Sequence, residues 1–456
     1  MNASDDIYDD VLRLDDADLT SLREIRLAAT LDRVFSAHPY YRDEFAKAGI
    51  GRNDINSLLD LTRLPITTKT DYISQPKRFQ LESGVADNDE MAVWDVMYTT
   101  GSSSVPAPFV STTYDFVNIL ALNRNMLRLR GVTAKDSILN LFPLTRYPHG
   151  AFTRVLHAAA AYNIPVVSAL PGRTNPRRPE LIHDMDEVIG IAVRTQPTIL
   201  WGVPSYIRRL IGRALEIGAR LQSVRLVFVT GESFGEDARM DLIERLTEMG
   251  AVSPWVSISY GATEMQGGMV ECAHNSGYHN AAPDQFLFET IDPATKMPVP
   301  DGSEGLVLLT HLDRRGTVML RYALGDVARL TREPCPHCGA RTERIVSLPR
   351  RTDNLLKIKG MLVNPQTLLD AISNEPMLLD FQAVVDKENP SDPLSLDRLR
   401  LRIVPSASAR QGLEAELITR VHRAIGVTPI VEQTTADDPL LSGRGWKQQP
   451  IVDLRK

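Results

Sequence analysis

Six consecutive residues, Ser259-Tyr260-Gly261-Ala262-Thr263-Glu264, follow an apolar run at 255–258 and set an aromatic ring, a glycine, a hydroxyl and a carboxylate side by side. These types suit a nucleotide. The tyrosine offers a face to a base, the glycine lets backbone approach a phosphate, and the threonine hydroxyl can donate to an oxyanion. The glutamate can hold Mg²⁺, a hard cation that prefers oxygen ligands and substrate phosphates. A strand ending in a Tyr-Gly turn is also common as plain structure, so the meaning of the stretch depends on its companions.

Four further segments ask for the same kind of ligand. Tyr98-Thr99-Thr100-Gly101-Ser102-Ser103-Ser104-Val105-Pro106 is a hydroxyl-rich loop between an expected strand and an expected helix. Backbone N–H groups and hydroxyls placed so can cradle a polyphosphate, or form an ordinary Ser/Gly surface loop. Arg321-Tyr322-Ala323-Leu324-Gly325-Asp326 sets an acid just after a glycine, suited to ribose hydroxyls or to a simple Gly-Asp turn. The run from Arg351 to Gly360 pairs basic residues with apolar alternation, as a surface hairpin also would. Gly443-Arg444-Gly445-Trp446-Lys447 brackets a lysine with glycines near the terminus.

A separate chemistry is written in the cysteines. There are three, an odd number that does not suggest a disulfide framework, and all lie between Cys272 and Cys338. Cys335-Pro336-His337-Cys338 is a knuckle whose thiolates can meet one ion. With Cys272 and His279 it makes a Cys₃His set of the kind that closes a tetrahedral structural zinc site. Buried free thiols are the alternative. A redox role would want a thioredoxin-like unit, and the flanking sequence does not resemble one.

The elements that must position these residues follow from periodicity. Residues 1–90 read as mostly helical, with apolar residues at helical spacing over 19–48. From 91 to 283 strands and helices alternate, with strands expected at 94–99, 137–142, 164–167, 199–202 and 225–230. That alternation indicates α/β layers around a largely parallel sheet, whose ligands sit at the carboxyl ends of the strands. Residues 284–352 read as short strands, a small barrel or twisted sheet, including strands at 318–322 and 327–331. Residues 353–456 read as a smaller α+β domain. At 456 residues the chain is too long for one ordinary core. A net charge of −6 argues against a nucleic-acid surface. The acidic start is unlike a signal peptide, and no run approaches the roughly 20 apolar residues of a membrane span. A cytoplasmic protein is expected.

Taken together and in this order, the segments resemble the adenylate-forming superfamily, and within it the phenylacetate–CoA ligase branch. Pro39-Tyr40-Tyr41, Ala48-Gly49-Ile50 and Leu64-Pro65-Ile66-Thr67-Thr68-Lys69 follow that branch's opening pattern. The resemblance implies an α/β fold: a large N-terminal adenylation domain (α/β subdomains plus a small β-barrel) over 1–352, and a mobile C-terminal α+β domain over 353–456. It also implies an AMP-forming acid–thiol ligase acting on an aromatic or otherwise compact carboxylic acid. Its cofactors would be ATP, Mg²⁺ and coenzyme A (or another thiol or amine acceptor), beside the structural zinc. Partners would be the acid, ATP and the acyl acceptor, without nucleic acid or membrane, and with a homodimer left open.

Residue by residue, Thr99, Thr100, Gly101, Ser102 and Ser103 would form the phosphate loop. Gly231-Glu232-Ser233 would line the adenine and acyl pocket, together with His149, Tyr206 and Ser259. Tyr260, with Gly261 beside it, would stack on adenine. Thr263 would contact the α-phosphate and Glu264 would hold Mg²⁺. Asp326 would bind ribose, and Arg351 ribose or phosphate. Asp353 falls at the hinge, and Lys447 at the lysine that engages the acyl-adenylate. Four residues depart from the pattern. Ser104-Val105 stands where the loop usually has Gly-Lys, which removes a phosphate-contacting cation. Asn354 replaces an acid, and Pro450 an arginine. Two alternatives stay open: transfer of the acyl group to an amine or carrier-protein thiol, and a non-catalytic nucleotide-binding relative.

Overall fold

The computed structural model describes residues 11–82, 90, 92–98, 107–144, 150–172, 182–231, 234, 236–347, 349–351, 356–373, 375, 378–392, 395–405, 412–434 and 451–455. The chain divides into two compact units, a larger one holding the described residues up to 351 and a smaller one holding those from 356.

The larger unit opens with α1 (Asp16–Ala37) and α2 (Pro39–Ala48). The single periodic stretch of the sequence becomes two helices at Pro39, whose nitrogen has no proton with which to continue α1. His38 caps the second helix: its Nδ1 accepts from the Tyr41 N–H at 3.2 Å, which leaves Nε2 as the donor to the Val318 carbonyl at 3.3 Å. The short helix α3 (Lys69–Ser74) starts on a capping box between Thr68 and Asp71.

Strands β1 (Val93–Tyr98) and β2 (Pro108–Thr112) pair antiparallel, with Tyr98 opposite Pro108. The hydroxyl-rich segment therefore connects two paired strand ends. β2 is an addition to the strands expected from the sequence. Its end runs straight into α4 (Thr113–Leu129), and the Asp115 carboxylate that completes the α4 capping box also accepts the Arg315 and Gly316 N–H groups, each at 2.8 Å.

The expected alternation then follows: β3 (Ile138–Asn140), α5 (Gly150–Tyr162), β4 (Val166–Ser168), α6 (Met185–Thr195), β5 (Ile199–Gly202), α7 (Pro204–Glu216), β6 (Leu226–Val229), α8 (Glu236–Glu248) and β7 (Trp255–Ala262). These strands lie parallel in the order β4-β3-β5-β6-β7. Every residue of β5 and β6 is buried, as in a sheet covered on both faces. The strand order reverses between β3 and β5, the crevice where such sheets bind ligands.

Beyond β7 the sheet turns antiparallel through β8 (Gly267–Val270), β9 (Tyr278–His279), β10 (Phe286–Ile291), β11 (Glu304–His311), β12 (Tyr322–Thr331) and β13 (Arg344–Ile345). The spatial order is β7-β8-β9-β13-β12-β11-β10, and β14 (Arg350–Arg351) adds to β12. The β-rich part of the sequence thus continues the parallel sheet. The two strands expected at 318–322 and 327–331 are one, β12, which begins only after Arg321 in the left-handed conformation (φ 45°).

In the smaller unit, β15 (Leu356–Ile358) and β16 (Met361–Val363) form a hairpin. The rest comprises α9 (Pro365–Ser373), β17 (Leu378–Lys387), β18 (Asp397–Pro405), α10 (Leu413–Ile425), β19 (Ile430–Gln433) and β20 (Ile451–Asp453), with sheet order β19-β18-β17-β20. Alternation on β18 sends Leu399, Leu401 and Ile403 into a core with Ile372, Leu417 and Val421. Arg398 and Arg400, at the alternate positions, pair with Asp386. No helix among the described residues is long and apolar enough to cross a membrane.

Burial holds three imidazoles neutral. The pKa is lowered to about 3 in His38, to about 3 in His311, and to about 4 in His157, where the Arg154 charge adds to burial. On unfolding each ring takes up a proton near its ordinary value, so the unfolded chain binds more protons below pH 6.5. Unfolding free energy should fall as pH drops from about 6.5 toward 4, by about 1 kcal/mol per pH unit for each ring. Urea melts between pH 7 and 5 measure this slope, and a flat profile would contradict the burial of these rings.

Candidate functional site

The glycine stretch is strand, where the sequence suggested a turn. β7 runs to Ala262, and the chain turns only at Thr263–Met265. Tyr-Gly reads as a break in a single chain, yet here the glycines serve close strand approach. A Cβ on Gly268 would lie 2.7 Å from the Tyr260 carbonyl oxygen, and one on Gly261 would lie 3.0 Å from that of Gly267.

From this strand the Tyr260 hydroxyl donates to Asp326 Oδ2 at 2.7 Å. Asp326 lies buried on β12, and its cross-strand partner is Arg351 on β14. Three positions singled out from separate segments thus meet at one place. Glu264 sits on the turn that follows β7 and is buried. Its Oε1 accepts the Tyr322 hydroxyl at 3.0 Å. Its backbone carbonyl takes a bond of 3.0 Å from His311 Nε2, which must be the protonated nitrogen, because Nδ1 accepts the Met319 N–H at 3.0 Å. The carboxylate is therefore fixed through both its side chain and its backbone. Sequence reasoning assigned no role to Tyr322 or His311. Tyr322 lies inside a segment already singled out, whereas His311 carries no local signal.

The strand ends flanking the hydroxyl-rich segment are anchored as well. Tyr72 on α3 donates to the Pro108 carbonyl at 2.6 Å, and Arg314 donates to the Val110 carbonyl at 3.0 Å and to Ser111 Oγ at 2.7 Å. Thr99, Thr100, Gly101, Ser102 and Ser103 lie outside the described residues, as do His149, Glu232, Ser233, Asp353 and Lys447.

At the β3/β5 crevice, Gly202 packs against Leu141, where a Cβ would come within 2.9 Å. Gly231, two residues past β6, holds φ 88°. The Tyr206 hydroxyl is buried without a hydrogen-bond partner among the described residues, and burial pushes the phenol up to about 12. The Ser259 hydroxyl accepts from Arg130, a wholly buried guanidinium that also reaches Ser257 Oγ at 3.1 Å and lies 4.1 Å from the Phe228 ring centre. Burial lowers the Arg130 pKa to about 9.

The second candidate centre is formed by Cys272, His279, Cys335 and Cys338, whose donor atoms all lie within 4.8 Å of one another. Antiparallel pairing of β9 with β13 sets His279 opposite Arg344 and so brings two distant segments together. The Cys335 knuckle is closed by Gly339 N–H to the Cys335 carbonyl at 2.9 Å and by Cys335 N–H to the Ala340 carbonyl at 2.9 Å. Cys272 Sγ lies 3.7 Å from Cys335 Sγ, and Cys338 Sγ lies 3.8 Å from His279 Nε2. Hydrogen bonding between Cys272 and Cys338 pushes the Cys338 thiol down and the Cys272 thiol up. Three thiols and an imidazole in this cluster are the donor set of a closed tetrahedral site.

No family model matches the chain. It is 26% identical to the phenylacetate–coenzyme A ligase of Thermus thermophilus, over 96% of this chain and 97% of that enzyme. It is also 26% identical to the phenylacetate–coenzyme A ligase of Escherichia coli, over 83% and 82% of the two chains. Among solved structures, it shares the fold of 2-hydroxyisobutyryl-CoA ligase in complex with 2-HIB-AMP and CoA, with a TM-score of 0.80 at 21% identity, covering 99% of this chain and 94% of that one. The resemblance read from the motifs therefore holds along nearly the whole chain.

Tyr322→Phe removes the donor that holds the Glu264 carboxylate and should cost about 1–3 kcal/mol of stability. Glu264→Gln added to that variant should cost less than it does alone, with a coupling of about 1 kcal/mol in a double-mutant cycle by denaturant melts. Strict additivity would mean that the two side chains do not work together.

Proposed function

We propose that this chain is an ATP-dependent acid–CoA ligase. A carboxylic acid attacks the α-phosphorus of ATP to give acyl-AMP and pyrophosphate, and the CoA thiol then displaces AMP to give the thioester. The observation that carries this reading is the convergence of Tyr260, Asp326 and the Glu264 turn at the carboxyl end of β7. Whole-length likeness to enzymes named for this reaction supports it. The acid is aromatic or otherwise compact, and the cytoplasm is its place of action.

In this reading Tyr260 lies against the adenine, and Asp326, whose carboxylate already takes one hydroxyl donor from Tyr260, grips the ribose hydroxyls with Arg351 beside it. Thr263 donates to the α-phosphate as the acid oxygen adds. Thr99, Thr100, Gly101, Ser102 and Ser103 cradle the leaving pyrophosphate, and Gly231, Glu232, Ser233, His149, Tyr206 and Ser259 shape the acid pocket. Magnesium, bound with Glu264 as ligand, supplies charge neutralisation of the phosphates. Most of the rate enhancement comes from positioning and from charge placed where it develops. Residues 1–352 form the adenylation domain. Residues 353–456 form a mobile domain that turns at Asp353 and carries Lys447. A pyrophosphate-release screen over aryl, alkyl and amino acids, each with CoA, amines or carrier protein as acceptor, tests the reading. Nucleotide binding without release for any acid would favour a non-catalytic relative, the outcome to which Ser104-Val105 points.

Lys447→Ala should lower acyl-AMP formation by roughly 100-fold, on the order of 3 kcal/mol of transition-state stabilisation. Supplied with synthetic acyl-AMP and CoA, the same variant should complete the second step at a near-normal rate. Equal slowing of both steps would count against a lysine that serves adenylation alone.

The Cys272, His279, Cys335 and Cys338 cluster holds a structural zinc ion in this reading. Binding energy at such a site is also folding energy, so Cys335→Ser should lower zinc content and melting temperature together. Metal analysis of protein purified without chelator checks this, and less than stoichiometric zinc in the wild type would argue for free thiols.

A further inference from the structure

Arg154 on α5 touches two segments that the proposed nucleotide site needs and belongs to neither. The side chain is buried, and its Nη1 donates to Asp95 Oδ2 at 2.9 Å. Asp95 lies on β1, the strand that leads into the hydroxyl-rich segment. On the other side, Nη2 donates to Gln266 Oε1. Gln266 is 2% exposed and holds φ 53°, and its Nε2 donates to the Thr263 carbonyl at 2.5 Å. One guanidinium thus links the root of the loop to the turn bearing Thr263 and Glu264. His157 Nδ1, 2.9 Å from Nη1, accepts a further bond and completes the surroundings with a neutral ring, since burial and the Arg154 charge keep it unprotonated.

We infer that Arg154 is a positioning residue for the polyphosphate of Mg·ATP, holding the Thr263–Glu264 turn at a fixed distance from the base of the hydroxyl-rich loop. The inference rests on the acid–CoA ligase reading and adds to it a residue that touches no substrate. Two physical arguments support it. Removing an arginine and an aspartate from water is costly, and an apolar pair would fill the same volume at less cost, so stability alone does not account for the pair. A guanidinium forks in a fixed plane, which lets one side chain set the spacing of two partners as an ammonium could not. The β1 root is gripped a second time nearby, where Trp94 stacks on Phe116 of α4 with ring centres 4.3 Å apart. The arrangement is a brace across the phosphate end of the site.

The test is calorimetric binding of Mg·ATP and, separately, of AMP to the full chain, which reports on the brace without needing the acid. Arg154→Met should weaken Mg·ATP by about 10- to 100-fold, the range for a lost hydrogen bond to a charged group. AMP, which lacks the β- and γ-phosphates, should bind nearly as it does to the wild type. Arg154→Lys should recover part of the loss, because it keeps the charge beside Asp95 but cannot fork to Gln266. Should Arg154→Met fail to fold, Gln266→Leu carries the same comparison, since it leaves the Arg154–Asp95 pair in place. Equal weakening of ATP and AMP, or no weakening of either, overturns the inference. A wild type that binds neither nucleotide overturns the ligase reading itself.

Discussion

Strand β12 is constrained from both sides, and the candidate site depends on that constraint. It pairs with β11 along 304–309, with β14 at 326–327 and with β13 at 330–331, and Thr67 bridges to Tyr322 from the N-terminal region. A buried strand must satisfy its backbone groups with neighbours, so its register cannot slip without exposing the whole ladder. Tyr322 and Asp326 are therefore fixed relative to each other before any side chain meets β7. Both then reach across: the Tyr322 hydroxyl to Glu264, and the Asp326 carboxylate to the Tyr260 hydroxyl. The turn after β7 is aimed by these two bonds and by the histidine on β11 that takes up the Glu264 carbonyl.

Buried ion pairs fix the outer part of the same sheet. Arg23 on α1 donates to Glu343 at 2.6 Å and to the Pro283 carbonyl at 2.6 Å. Arg26 meets Asp284 at 3.1 Å and Asp313 at 3.0 Å. The charge of Arg23 keeps the Glu343 carboxyl below its ordinary value in spite of a burial that alone would raise it. Glu343 immediately precedes β13, whose pairing with β9 presents His279 to the cysteine cluster. Helix α1 thereby bears on the cysteine–histidine cluster through one salt bridge and one strand register. Such pairs contribute specificity of docking more than net stability, since desolvation offsets much of their attraction.

The architecture was largely legible because apolar periodicity encodes it. Strands β5 and β6 read as unbroken apolar runs bounded by turn residues, and the helices between them carry a 3.6-residue period. The segments that were missed lack such a signal or carry a contrary one. Pro108–Thr112 is short and directly continuous with a helix, so its pattern merges into the helix start. The extension of β7 through Tyr260 and Gly261 looks like a turn, since the need for glycine comes from β8, which a local reading does not place. At the site, residue types could be listed from the sequence, whereas meetings such as Tyr260 with Asp326 are tertiary facts. The Cys₃His set is the instructive contrast: thiol chemistry is rare enough that spacing alone assembled it, and strand pairing then supplied the proximity.

The distribution of charge bears on how the proposed reaction would run. Around the described part of the site stand the acids Glu264, Asp326 and Asp95, and the buried cations Arg154 and Arg314 are engaged with protein acceptors. Val105 stands where the resemblance leads one to expect a phosphate-contacting lysine. In the proposed reaction, neutralisation of the displaced pyrophosphate would then fall more heavily on an ion bound with Glu264 as ligand and on Lys447. An electrostatic contribution concentrated in fewer groups needs those groups held more rigidly, because a displacement of one is not made up by another. The double fixing of Glu264, by Tyr322 at its carboxylate and His311 at its carbonyl, is the form that such rigidity takes in this chain.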